Sequence, residues 1–217
     1  MSKRVITLTL LVALGFGLVA LVPKLAGLRL PGNNKGYEPI QPIAYSHRLH
    51  AGELGIDCKY CHSGAERSRY AGIPAASVCM NCHGFVTASR SAVRAEEVRA
   101  EIEGREPMKV VSTELAKLYA AFGLGEDLLP DPNLEPRPIE WVRVHKLPDF
   151  AVFDHRPHVF AGVACQKCHG PVETMERMRQ VKSLSMGWCV NCHRDPHDAG
   201  LVVPELQASI DCSGCHH

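Results

Sequence analysis

Aromatic residues are scarce in this chain of 217 residues: six Phe, five Tyr and two Trp. Rings this few cannot dominate a core in the usual way, so something other than aromatic packing must supply buried surface. Charge of one sign is also lacking. The 24 Lys and Arg almost cancel the 23 Asp and Glu, leaving +1, and no basic block points to nucleic acid. Beyond one apolar run near the N-terminus there is no long hydrophobic stretch, and 18 Gly and 15 Pro interrupt the remainder. No cysteine stands alone.

All ten cysteines fall in five Cys-x-x-Cys-His pentapeptides: Cys58/Cys61/His62, Cys79/Cys82/His83, Cys165/Cys168/His169, Cys189/Cys192/His193 and Cys212/Cys215/His216. This is the attachment signature of c-type haem, with two thioethers on the porphyrin edge and the adjoining histidine placed to ligate iron. Zinc is the rival, since cysteine pairs also build tetrahedral sites. It gives no reason for a histidine directly after every pair. A disulfide framework fits less well, because it would not repeat with a fixed histidine. Five covalent haems c are therefore expected. Their macrocycles would supply apolar surface that side chains supply elsewhere, and their propionates would move the net charge toward negative.

From Val5 to Val22 the chain runs without a charge, preceded by Lys3 and Arg4. Eighteen residues in a helix just reach across most of a bilayer's hydrocarbon core. A cleaved secretory signal has a shorter apolar region ending in a small-x-small site, whereas Pro23-Lys24-Leu25 follows here. An uncleaved single-pass anchor is expected, with a cleaved signal as the alternative. Flanking charges do not decide orientation. Haem attachment on the outer side of the energy-transducing membrane does, and it puts the N-terminus in the cytoplasm and the haem-bearing part in the periplasm.

Residues 1–35 are expected as the anchor and the start of a tether, 36–87 as a dihaem module, 88–140 as a helical and Pro-rich connector, and 141–217 as a trihaem module. An internal duplication is visible. Tyr45-Ser-His47-Arg-Leu-His50 precedes the first two motifs, and Phe153-Asp-His155-Arg-Pro-His158 precedes the third and fourth. Between them, Ala88 to Gly104 has helical spacing with opposite charges three or four apart. Ser112 or Thr113 is placed to cap a second helix running to Phe122. Leu129 to Pro138 reads as an extended connector.

Seven histidines lie outside the motifs: His47, His50, His145, His155, His158, His197 and His217. His47/His50 and His155/His158 are the expected distal ligands, since in His-x-x-His one imidazole can reach the local haem and the other its neighbour. His145 would complete the set of five, with Met186 as its rival and Met175 and Met178 behind. The choice matters because His/Met ligation raises the potential relative to His/His. With six-coordinate irons no site opens to substrate, and one-electron transfer is the expected chemistry.

Three longer strings carry a resemblance. Gln41-Pro-Ile-Ala-Tyr-Ser-His47-Arg-Leu-His50 running on to Cys58-Lys-Tyr-Cys61-His62, Trp141-Val-Arg-Val-His145-Lys-Leu-Pro-Asp-Phe150, and Leu184-Ser-Met186-Gly-Trp188-Cys189-Val-Asn-Cys192-His193 resemble the pentahaem cytochrome c subunit of alternative complex III, a bacterial quinol oxidoreductase. The resemblance implies a mainly α protein with much irregular structure, built of class III, c7-like haem modules on one N-terminal transmembrane helix. It also implies a relay that is no enzyme by itself. Electrons from quinol, oxidised at polytopic membrane subunits, would arrive directly or through an iron-sulfur subunit, and would leave to a monohaem cytochrome c, a copper protein or an oxidase. The competing expectation is a self-sufficient, membrane-anchored quinol dehydrogenase feeding a periplasmic reductase. Against it, Val22 and Cys58 stand far apart across a tether containing Pro and Gly.

Overall fold

The computed structural model describes residues 3–26, 34–194 and 208–216. Among them are short helices, turns and irregular segments, with two isolated β-bridges and no strand. The apolar N-terminal run lies in one helix, α1 (Lys3–Ala26). Counting only described side chains, no helix is long and apolar enough to cross a membrane. The side chains of residues 20–26 in α1 lie outside that set.

The haem motifs sit on short helical turns: α2 (Cys58–Cys61), α4 (Ala76–His83), α8 (Cys165–His169), α9 (Met186–Arg194) and a 3₁₀ turn, Cys212–Gly214. A helical turn puts residues three apart on one face, which is how both thiols of a motif come to lie on the same side. Asp57 and Asp211 cap two of these turns through their carboxylates. Such caps satisfy amides that a turn this short leaves unpaired.

Two further helices, α5 (Arg90–Glu103) and α6 (Thr113–Ala120), fill the middle of the chain. Ser89 and Ser112 cap them, and Gly104 closes α5 in the left-handed conformation at φ 65°. The charged face of α5 is not all solvated. Glu96 is buried, accepting from Arg105 at 2.6 Å and from the Met108 amide at 3.1 Å. Arg105 thus pairs with Glu96 and Glu103, while Arg94 holds Glu97 at 3.0 Å.

Two expectations about irregular segments change. The Pro-rich stretch after α6 does not run out as an extended connector. It folds back, with Asp131 N donating to Gly123 O and Arg137 N to Ala121 O. Gly123, at φ 69°, makes the return possible: a Cβ there would meet Leu134 O at 2.9 Å. Pro31 to Gln41 reads from the sequence as an irregular tether, yet its described part, residues 34–41, is docked. Gln41 clamps both backbone groups of Val142 at 2.9 Å, and Gly36 and Tyr37 pair with the Gln180 backbone. Pro31 to Asn33 lie outside the described residues.

The two copies of the duplication interlock. The first His-x-x-His lies at the start of a π-helical turn, Arg48–Glu53, which packs on the 3₁₀ turn Val172–Thr174 that follows the third motif. Arg48 N donates to Met175 O at 2.9 Å, and Arg48 pairs with Glu176. Reciprocally, the second His-x-x-His opens α7 (His155–Phe160), which packs on α3 (Gly64–Arg67) after the first motif. His155 N donates to Arg69 O, and Arg69 Nε to Phe153 O, each at 3.2 Å. Glycine permits the first crossing, where a Cβ on Gly52 would stand 2.2 Å from Glu173 O; Gly64 serves the tight turn within its own copy, where a Cβ would stand 2.6 Å from Tyr70 O.

Side chains alone build little core. Leu118, Tyr119, Val144, Met175 and three alanines are its buried apolar members among the described residues. Tyr60, Tyr70, Ile73, Phe150 and Phe160 beside the motifs stay exposed, the kind of apolar surface a macrocycle would cover.

Candidate haem sites

The duplication extends to ring geometry. Tyr45 stands edge-on to His47, with centroids 4.9 Å apart, and stacks on His50 at 4.4 Å. Phe153 repeats this with His155 at 4.8 Å and His158 at 4.6 Å. The second histidine of each pair also hydrogen-bonds through Nδ1 to the carbonyl four residues back, Ser46 for His50 and Asp154 for His158, each at 2.8 Å. The aromatic residue and the turn therefore orient both imidazoles.

Motif histidines are oriented in the same way. Nδ1 of His62 meets Gly72 O at 2.7 Å, that of His83 Val86 O at 2.8 Å, that of His193 Ser209 O at 2.6 Å, and that of His216 Phe150 O at 3.1 Å. A carbonyl can only accept, so Nδ1 carries the proton and the Nε2 lone pair is left for a metal. His169 differs: its Nδ1 lies 3.2 Å from His145 Nε2.

Three motif histidines face a histidine of the His-x-x-His pairs. Centroids are 6.1 Å apart for His50 and His83, 6.4 Å for His155 and His169, and 6.0 Å for His158 and His193. Two metal–nitrogen bonds of about 2 Å plus the reach of two rings come to about 6 Å, so each gap suits one iron. His47 has a buried Nδ1 without a hydrogen-bond partner. Burial, then the neighbouring His62 and His50, bring its pKa down to about 4. Burial, with His145 and His155 next, brings His169 down to about 3. Both are held neutral, as an iron ligand must be.

Zinc fits this donor set poorly. Among the described residues, no three His, Cys, Asp or Glu side chains converge to hold a metal ion, and no disulfide joins any of the ten cysteines. Residues 151–217 match the family model of cytochrome c7 and related cytochrome c. Over that stretch the chain is similar to the c7-like multihaem cytochromes c. A curated relative, the multihaem cytochrome c subunit of menaquinone reductase from Nitratidesulfovibrio vulgaris, is 24% identical over 196 residues, covering 81% of this chain and 76% of the relative. Covalent haem c and electron transfer follow for this cytochrome.

Neighbouring thiols show how its motifs are strung together. Burial raises the Cys61 pKa, with Cys82 adding to it, and burial followed by Cys61 raises that of Cys79. The Cys58 thiol is raised by burial and by Cys165, to which it is hydrogen-bonded. Burial lifts Cys168 to about 11, with Cys192 and Cys189 contributing, and Cys189 is raised by burial and then Cys215. The motifs therefore adjoin in the order 79–83, 58–62, 165–169, 189–193, 212–216, with the first and third meeting where the two copies cross.

His145 is not set across a gap of iron width from His169: their centroids are only 4.4 Å apart and their planes 76° apart. Met186 is exposed on α9, Met175 is buried beneath the crossing, and His197 and His217 lie outside the described residues. Gln180, which sequence reasoning missed, is fully buried. Its amide donates to Lys182 O at 3.0 Å and accepts from Lys146 N at 3.3 Å, pinning the segment that carries His145. A lone Gln between Arg179 and Val181 gives no signal in the sequence.

Proposed function

We propose that this cytochrome is a membrane-anchored electron relay with one haem c on each of its five motifs, serving a quinone-linked complex of the alternative complex III type. The supporting observation is the set of imidazole pairs at iron width, each joining a motif histidine to one of His50, His155 and His158. His47, buried beside His62, is the distal partner for the first motif. Haem, when bound, supplies reversible one-electron chemistry, and the irons of the first four motifs, each between two imidazoles, leave no position for substrate. The chain is then no enzyme by itself. Its residues fix the order of the attachment points and keep the ligating imidazoles neutral and oriented.

The helix α1, with exposed Leu10, Leu14, Phe16 and Val19, is the anchor, and its 24 residues would span about 36 Å. The haem-bearing part faces the periplasm. Polytopic quinol-oxidising subunits and an iron-sulfur subunit are its donors, and a monohaem cytochrome c or copper protein is the acceptor. The relative's place in a menaquinone reductase favours a second reading, in which electrons run the other way, from a periplasmic donor to menaquinone.

The test is quinol reduction of the c-type absorbance band, in gently solubilised membranes and with this chain separated from its companions. Rapid reduction confined to the intact preparation is expected. Equal rates would favour a self-sufficient quinol dehydrogenase. Failure of quinol in both, with menaquinone reduced on adding a reduced periplasmic cytochrome, would establish the reverse direction.

A further inference from the structure

Four of the five motif histidines direct Nδ1 at a backbone carbonyl, and His169 alone directs it at another imidazole, Nε2 of His145. The segment carrying His145 is held on several sides. Asn34 Nδ2 donates to Val144 O at 3.4 Å, Gln41 clamps Val142, Gln180 takes the Lys146 amide, and Val144 is buried. Holding a half-buried histidine this firmly serves no packing need, since the apolar contact comes from Val144. His155 also lies parallel to His169, with 6° between planes and 6.4 Å between centroids. His169 thus has two imidazole neighbours, His155 at iron width and His145 at hydrogen-bond distance.

We propose that His145 is a positioning residue for the third haem motif: it accepts the Nδ1 proton of His169, fixing that ring and lowering the potential of the iron it holds. This rests on the haem reading above. With iron on Nε2, neutral His169 carries its proton on Nδ1, so His145 Nε2 must be the acceptor. An acceptor behind a ligating imidazole raises its basicity, which favours the ferric state. Imidazole nitrogen is a stronger base than an amide carbonyl, so this haem is set apart from its four neighbours.

The experiment compares His145→Phe and His145→Gln with the parent chain, all bearing haem, by haem count, electron paramagnetic resonance of the oxidised protein and a redox titration. In the Phe variant one component should rise about tenfold in its reduced-to-oxidised ratio at fixed potential, about 59 mV for one electron, while no further haem turns high-spin. Gln, which offers an amide oxygen, should restore much of the shift. A new high-spin haem in either variant would show that His145 is an iron ligand and overturn the proposal. So would unchanged spin states and midpoints in the Phe variant. If Phe blocks maturation, the Gln variant decides alone, because a lost ligand gives high-spin iron and a retained acceptor does not. A parent chain carrying no haem would instead sink the haem reading itself.

Discussion

Replacing Gly52 by alanine tests the crossing that brings the first and third motifs together. The added Cβ would stand 2.2 Å from Glu173 O and 3.3 Å from its carbonyl carbon, where an unstrained contact needs about 3.5 Å. The obstacle is backbone, so no rotamer change relieves it, and the two turns must separate by about 1 Å. Overpacking of this kind costs about 1–3 kcal/mol. For a chain of this length each kcal/mol moves the melting temperature by about 2–4 °C, giving a drop of about 2–12 °C. The control is Gly187→Ala in α9, where a Cβ would meet nothing within 4 Å. Relief of a helical glycine should leave that variant unchanged or raise its stability by about 0.5–1 kcal/mol. Melting of the haem-bearing chain, followed through the Soret band, measures both. A Gly52→Ala protein that melts with the parent would refute the packing of Arg48–Glu53 on Val172–Thr174.

Gln180→Leu should destabilise by about 2 kcal/mol, because it strands the Lys146 amide and the Lys182 carbonyl; urea midpoints read the loss, and an unchanged midpoint would deny Gln180 its role. Tyr119→Phe should cost about 1 kcal/mol, since the buried hydroxyl donates to His83 O at 2.7 Å, with the haem spectrum kept. Burial depresses His47 and His145 to about 4 and His169 to about 3, against an ordinary value of 6.5. Between about pH 6.5 and 4 the unfolded chain takes up protons that the folded imidazoles refuse. Stability should therefore be full above pH 6.5, fall on acidification through that window and level off near pH 3. Denaturant midpoints at stepped pH check this, and a midpoint that rises on acidification would contradict it.

Much of the site was legible in the sequence because it is local. A haem attachment point needs two thiols one turn apart and an adjacent imidazole, and five consecutive residues carry all three. The Ser112 cap, the helix ending at Gly104 and the duplicated aromatic-x-His-x-x-His were readable for the same reason: each depends on neighbours within a few residues. The burial of Glu96 was not, because its partners Arg105 and the Met108 amide come from the turn beyond α5. Nor was the docking of residues 34–41, which depends on Gln180 and Val142 far along the chain.

The sequence by itself determined the chemistry: five attachment motifs, their adjoining histidines and a reservoir of further imidazoles. Tertiary structure decided which imidazole faces which, that the first motif adjoins the third, and that His145 stands behind His169. Those relations depend on Gly52, which lets two backbones cross, and on hydrogen bonds between residues remote in the chain. A periodic or local pattern cannot encode a contact whose partners share no spacing.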